Sequence, residues 1–315
     1  MLKAFIVFQL ILAASCQIAN SKPYFSWRLG NQEDFKLPDE SVLNGGIFLF
    51  GGSDMQTNAS RWFLRKALGG DVLIFKNAQL NQEPYEEADF YNGYFYKNLD
   101  VDINSVETIF LNSPDVANNI NVIEKVKKAE AIFFSGGDQA TYYLFIRDSL
   151  LEDALNYFIN VKHGVIGGTS AGCAIQGEYI YSAENDTVDS KEALNNPYDF
   201  RITIRRDFLV HKLLKNTITD THFFNRDREG RLVTFMGRIL ADNSNNAALK
   251  NGIVKSIGVD EKTAVCVESN GRGYVYGLGN AYFMKQNRVS DTPEQCVPNK
   301  PFDWYRDRKA VKVYK

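Results

Sequence analysis

The chain has 315 residues, 44% of them hydrophobic and 13% aromatic, which is enough apolar material to bury a full-sized globular core. With 36 basic against 38 acidic side chains the formal net charge is -2, and this balance gives no basis for binding nucleic acid or an anionic membrane surface.

Met1-Leu2-Lys3, an apolar run from Ala4 to Ala14 and then Ala14-Ser15-Cys16 have the layout of a secretory signal peptide with a small-residue cleavage site. The run is well short of the roughly 20 residues a spanning helix needs, and no later segment is apolar enough to span. Residues 1–16 are therefore predicted to be a signal peptide, and the chain is predicted to be extracellular. Of the remaining cysteines, Cys173 reads as a small core residue, which leaves Cys266 and Cys296 as the disulfide candidates of an oxidising compartment. Asn58-Ala59-Ser60 and Asn185-Asp186-Thr187 are N-glycosylation acceptors.

Residues 17–43 read as a polar leader. Gly46 to Phe50 reads as a buried strand ending in Gly51-Gly52. A helix follows from Ser60 to Leu68, then a second strand over Asp71 to Phe75. The Tyr-, Asn- and acid-rich stretch from Asn77 to Asn104 reads as an insertion with little regular structure. A strand over Val106 to Leu111, a helix over Asp115 to Ala129 and the apolar strand Ala131 to Phe134 come next, then helical patterns through Ile159. Val165-Ile166-Gly167 enters the turn Gly168-Thr169-Ser170-Ala171-Gly172. Strand, glycine turn and helix in repeated alternation predict an α/β fold with a mostly parallel central sheet flanked by helices. Later, Thr217 to His222 and Ser256 to Val259 read as strands around a helix over Leu232 to Leu240. Thr263 to Val267, Tyr274 to Tyr276 and Ala281 to Phe283 suggest an antiparallel meander. One α/β domain over 44–290 and a tail over 291–315, held by Cys296, complete the reading.

A strand that turns sharply into a helix at G-x-S-x-G exposes the serine oxygen beside the next backbone N–H, which is how a nucleophile is presented. Serine needs a base, nearly always histidine. His163 lies at the wrong end of the strand and His211 has no special context, which leaves His222 at the end of a predicted strand. Parallel strands place their carboxyl ends on one edge, so Asp138, Ser170 and His222 can meet in one cleft. Arg226, Arg228 and Arg231 follow at a spacing that can gather guanidinium groups for a substrate carboxylate. Asp260-Glu261 supplies the first candidates for the acid that orients the histidine, with Glu184 and Asp186 as alternatives. No His/Cys cluster has metal-ligand spacing, and no cofactor is expected.

Four ordered blocks carry a resemblance over roughly residues 44–285. They are Gly136-Gly137-Asp138-Gln139, Gly168-Thr169-Ser170-Ala171-Gly172, Asp220-Thr221-His222-Phe223 with its arginines, and Gly258-Val259-Asp260-Glu261-Lys262-Thr263-Ala264. Together they resemble the cyanophycinase branch of the aspartyl-dipeptidase family of serine peptidases, family S51. The resemblance implies a class I glutamine-amidotransferase-like, flavodoxin-like fold, with Ser170 as nucleophile, His222 as base and Glu261 as orienting acid. It also implies an oxyanion hole from the N–H groups of Gly137 and Ala171, and substrate contacts from Gln139, Asp220, Arg226, Arg228 and Arg231. The implied partner is a peptide with an Asp or β-Asp linkage, and members of the family often dimerise. Cyanophycinases usually carry Asp-Gln-His-Phe in the third block, so Thr221 here removes an amide from the pocket. The reading is a secreted serine exopeptidase acting on Asp-containing, β-aspartyl-arginine-type bonds. A catalytically inactive binding or matrix protein on the same fold, or an esterase using the same serine, are the alternatives.

Overall fold

The computed structural model describes residues 24–39, 42–77, 84–243, 249 and 252–315. Its first half builds β1 (Ser26–Gly30), β2 (Gly46–Phe50), α1 (Thr57–Lys66), β3 (Asp71–Asn77), α2 (Pro84–Lys97), β4 (Ser105–Leu111), α3 (Pro114–Ala117), α4 (Ile120–Lys128), β5 (Ala131–Phe134), α5 (Gln139–Ile146), α6 (Leu150–Tyr157), β6 (Val165–Thr169) and α7 (Ala171–Ala174). The second half adds β7 (Tyr179–Tyr181), α8 (Ser190–Asn195), β8 (Ile204–Arg206), β9 (Thr217–Asp220), α9 (Glu229–Asp242), β10 (Lys255–Val259), β11 (Thr263–Val267), β12 (Gly273–Gly277), β13 (Ala281–Gln286) and β14 (Val311–Tyr314).

Among the described residues these strands form two sheets. The first runs β1-β4-β3-β5-β6-β2-β11-β12, parallel from β4 to β2 and antiparallel at its flanks. β3, β4, β5 and β6 are buried along their whole length, as a sheet covered on both faces requires. The second sheet runs β14-β13-β10-β9-β7-β8 and is parallel at β10-β9-β7. The period-two alternation of β2 explains how the sheets join. Phe48 and Phe50 enter the core with Phe63 and Leu64 of α1, whereas Ile47 and Leu49 pack with Val265, Val267, Ile257 and Val259. Phe48, Phe50, Phe63 and Phe133 are fully buried, each stabilising the fold by on the order of 2 kcal/mol.

The mostly parallel α/β architecture agrees with the sequence reading, but several local expectations need correction. His222 follows a strand of the second sheet, not of the one that carries Ser170, so the two meet across a sheet junction. The expected meander is divided: β11 and β12 extend the first sheet, while β13 crosses to pair with β10. The stretch expected to be irregular over 77–104 contains the 14-residue α2, because its aromatic residues are a buried face: Tyr91 and Phe95 pack on Phe133. The single helix expected over 115–129 is broken into α3 and α4, since the Asn119 side chain accepts from the Asn121 N–H and starts a new helix. The leader and tail are not appendages: β1 pairs with β4, and β14 pairs with β13. The predicted signal peptide lies outside the described residues.

Cys266 and Cys296 are unbonded, contrary to expectation. Cys266 is buried in the phenylalanine cluster of the first sheet, whereas Cys296 lies near Arg238 and Asp242 of α9. The tail is anchored instead by the buried Trp304, whose indole N–H donates to Asp291 O at 3.1 Å, and by β14.

His211 is a buried structural residue with Nε2 3.1 Å from Gln176 Oε1, and burial pushes its pKa down to about 4. The unfolded chain therefore binds more protons than the folded one below about pH 6.5, and stability falls as pH drops from there to about 4. A loss of about 3 kcal/mol across that window is expected from this residue. Urea unfolding at pH 7 and pH 4.5 should show it, with a smaller loss in His211→Gln.

Candidate active site

At the carboxyl end of β6 the backbone turns at Ser170, with φ 50° and ψ -116°, directly into α7. Such a conformation costs a non-glycine residue on the order of 1–3 kcal/mol and persists where the surroundings over-determine it. Here the Ser170 N–H donates to Phe50 O at 3.0 Å, and the Ser170 carbonyl accepts from Cys173 and Ala174 at 3.0 and 2.9 Å. The two glycines of the motif are there for close approach: a methyl on Gly168 or Gly172 would lie 2.4 or 2.1 Å from Phe134 O.

His222 follows β9 and donates its backbone N–H to Gly51 O at 2.8 Å, while Phe223 N–H donates to Val259 O at 3.1 Å. These bonds turn the imidazole into the gap between the sheets. Its Nε2 lies 2.8 Å from Ser170 Oγ and its Nδ1 lies 2.6 Å from Glu261 Oε1. An ionised carboxylate only accepts, so Nδ1 carries the proton and Nε2 is left to accept from the serine hydroxyl. Burial pushes the His222 pKa down, the Glu261 hydrogen bond opposes this, and Arg226 and Arg228 lower it further. The net result lies below the ordinary histidine value, and the imidazole is uncharged at neutral pH.

The four candidate acids separate by partner. Only Glu261 touches the histidine, and its own N–H donates to Asn225 Oδ1 at 3.1 Å. Asp260 accepts from Phe224 N–H at 2.9 Å and Asn280 N–H at 2.8 Å, which ties loops together. Glu184 pairs with Arg205 at 2.7 Å, and Asp186 accepts from Thr187 N–H at 2.7 Å. Both of these line the cavity rather than the histidine.

That cavity, of about 440 Å³, contains Ser170, His222, Gly137, Ala171, Gln139 and the arginines in its wall. The expected group of three substrate-facing arginines divides. Arg231 is buried and spent: Nε and Nη2 donate to Asp220 at 2.8 and 2.6 Å, and Nη1 donates to Thr187 Oγ1 and Val188 O at 3.2 and 3.0 Å. Burial alone would raise the Asp220 carboxyl, but Arg231 and then Arg228 hold it below the ordinary aspartate range. Arg228 uses Nη1 on Thr221 O at 2.8 Å, and burial pushes its pKa down to about 10. Arg226 is exposed and, among the described residues, donates no side-chain hydrogen bond. Thr221, at the position that departs from the family pattern, thus holds Arg228 through its carbonyl.

The wall opposite His222 is the turn after β5. A methyl on Gly136 would lie 3.5 Å from Ser170 Cβ, so this turn faces the serine closely. Among the described residues the N–H groups of Gly137 and Ala171 donate no hydrogen bond, and both residues line the cavity. The arrangement provides an oriented hydroxyl, an uncharged base, an acid on that base, two backbone donors and cationic side chains in one opening.

Comparison with known proteins agrees with this geometry. No family model matches the chain. Over 251 residues it is 25% identical to the cyanophycinase of Synechococcus elongatus, covering 79% of this chain and 70% of that one. Cyanophycinase of Geminocystis herdmanii is 23% identical over 257 residues, covering 80% and 85%. Over most of its length the chain is thus similar to cyanophycinases, and the comparison indicates a peptidase. Its fold is similar to that of a peptidase from an acI-B1 Actinobacterium, with a TM-score of 0.52 at 18% identity over 76% of this chain and 90% of that one.

Residue spacing left several contributors to the site unassigned. Gly52, at φ +113°, leaves room for the His222 ring. Asn225, three residues after the histidine, holds Glu261, and Asn77 at the end of β3 reaches the turn beside Ser170. The paired glycines after β2 were the one signal in the sequence, since they end a buried strand on the edge where Ser170 emerges.

Proposed function

We propose that the chain is a secreted serine exopeptidase that hydrolyses amide bonds next to aspartate, β-aspartyl linkages among them, through Ser170, His222 and Glu261. The observation that carries this reading is the continuous hydrogen-bond chain from Ser170 through His222 to Glu261, opening into a cavity walled by Arg226 and Arg228. Secretion rests on the layout of residues 1–16.

Ser170 Oγ attacks the amide carbon while its proton passes to His222 Nε2, and the carbonyl oxygen of the tetrahedral intermediate faces the N–H groups of Gly137 and Ala171. Collapse breaks the C–N bond, and the amine leaves with the proton from Nε2, which leaves an acyl ester on Ser170. His222 then takes a proton from water, the resulting hydroxide attacks the ester, and the acid leaves as the Ser170 hydroxyl is restored. Glu261 stabilises the imidazolium formed in both halves. Arg226 and the unengaged face of Arg228 would bind the carboxylate of the aspartyl residue, while the Arg231–Asp220 pair fixes the wall behind them.

The test is incubation of the purified mature chain with cyanophycin, α- and β-aspartyl dipeptides and p-nitrophenyl esters, together with labelling by a serine-reactive phosphonate. Covalent labelling at Ser170 and release of products from an aspartyl peptide are expected. An unlabelled, inactive chain would leave a binding protein on this fold, and ester cleavage alone would make it an esterase.

A further inference from the structure

Resting on the Ser170 reading, we propose that Asn77 is a positioning residue for the oxyanion hole, acting through the Gly136-Gly137-Asp138 turn. Asn77 is buried at the end of β3, and its Nδ2 donates to the Asp138 carbonyl at 2.5 Å across a parallel strand. Its Oδ1 lies against Gly137, where a methyl would come within 2.0 Å of that oxygen. Gly137 stands at φ +135°, a conformation that side-chain-bearing residues rarely adopt. The Asn77 amide thus holds the carbonyl of Asp138, the residue that follows Gly137, and blocks one side of the Gly137 Cα. The Gly137 N–H is left on the cavity side, where among the described residues nothing in the protein accepts it.

A second contact fixes Asn77 itself. Its backbone N–H donates to the Tyr142 hydroxyl at 3.3 Å, and that hydroxyl lies 2.9 Å from Phe75 O and 3.2 Å from Ser135 O. Ser135 N–H also donates to Phe75 O at 2.9 Å. The end of β3 and the turn after β5 are therefore one rigid unit, and the three atoms nearest a methyl on Gly137 all belong to the Asn77 side chain. A donor for a developing oxyanion is effective when it is aimed before the reaction begins, and a Gly-Gly turn has no stiffness of its own. Asn77 supplies it.

Asn77→Ala and the same-shaped Asn77→Asp are to be compared with the parent chain on the aspartyl dipeptide it turns over, with phosphonate labelling measured in parallel. Both variants are expected to lose 10- to 100-fold in kcat with KM within about two-fold, and to lose phosphonylation rate in proportion, because the phosphonyl oxygen occupies the same hole. Asn77→Asp should lose at least as much as the alanine variant, since its carboxylate faces the Asp138 carbonyl without a proton to share. A purely structural role would lower the melting temperature and leave kcat intact. Should the alanine variant fail to fold, the aspartate variant carries the test. A folded variant with kcat and labelling rate within two-fold of the parent overturns the proposal. A parent chain that the phosphonate does not label overturns the Ser170 reading as well, which distinguishes the two failures.

Discussion

Ser170→Ala is expected to lower kcat by at least ~10⁴-fold while the fold and its melting temperature stay within a few degrees. The loss follows from chemistry, because no other hydroxyl in the described cavity is hydrogen-bonded to His222. The retained fold follows from the backbone. The strained turn at position 170 is held by the N–H to Phe50 O and by the carbonyl to Cys173 and Ala174, all of which alanine keeps. What alanine gives up is one hydroxyl–imidazole hydrogen bond at a partly buried site, worth about 1 kcal/mol. Product release from the aspartyl peptide panel, read beside a thermal melt, checks both halves. Full activity in a folded Ser170→Ala chain would remove Ser170 from the mechanism, and a collapsed fold would mean that the hydroxyl is structural.

The lettering of the chain exposes some of this site and hides the rest, for reasons that differ between residues. Buried strands such as β5 and β6 are legible because they are short continuous apolar runs ending in glycine. Ser170 is legible because few residue patterns permit a strand to enter a helix so abruptly. Elimination among three histidines points to His222, while spacing leaves its acid open among Asp260, Glu261, Glu184 and Asp186. Asp260 and Glu261 are adjacent carboxylates in one turn, and only their directions distinguish a loop tie from a partner for imidazole. No periodicity encodes that difference.

Long-range pairing was the larger gap. Whether β9 and β10 extend the first sheet or begin a second depends on which edge is already taken by β11, and β11 pairs with β2 across more than two hundred residues. Local pattern cannot register that competition. The arginines show the same limit in electrostatic form. Arg226, Arg228 and Arg231 look equivalent by spacing, yet Asp220 from β9 takes two short bonds from Arg231 and reaches Arg228 only at 3.5 Å. A buried guanidinium without that carboxylate would be costly, so the Arg231–Asp220 pair is part of the wall of the cavity. In α2, aromatic and acidic residues are mixed in a way that resembles a polar loop until Phe133 covers one side.

Gly52→Ala should be nearly as damaging as removing the serine, at a residue with no reactive group. A Cβ at position 52 would lie 2.3 Å from His222 Cε1 and 2.5 Å from Nε2, so the ring must move. It has little freedom to do so, because Ser170 and Glu261 hold its two nitrogens at 2.8 and 2.6 Å and Gly51 O holds its backbone. Displacement by about 1 Å breaks both side-chain bonds, and a loss on the order of 10³-fold in kcat is expected. Gly52 also stands at φ +113°, where alanine is strained by about 1–3 kcal/mol, so lost activity alone could reflect a weakened fold. Gly69→Ala separates the two effects. Gly69 has φ +86°, and a methyl there meets nothing closer than 3.8 Å, so that variant carries left-handed backbone strain without a steric clash. Gly69→Ala is expected to melt earlier and keep its kcat, and Gly52→Ala is expected to melt earlier and lose it. Equal kcat in both variants would mean that the ring tolerates a neighbour at position 52, and the glycine would then serve the turn rather than the base.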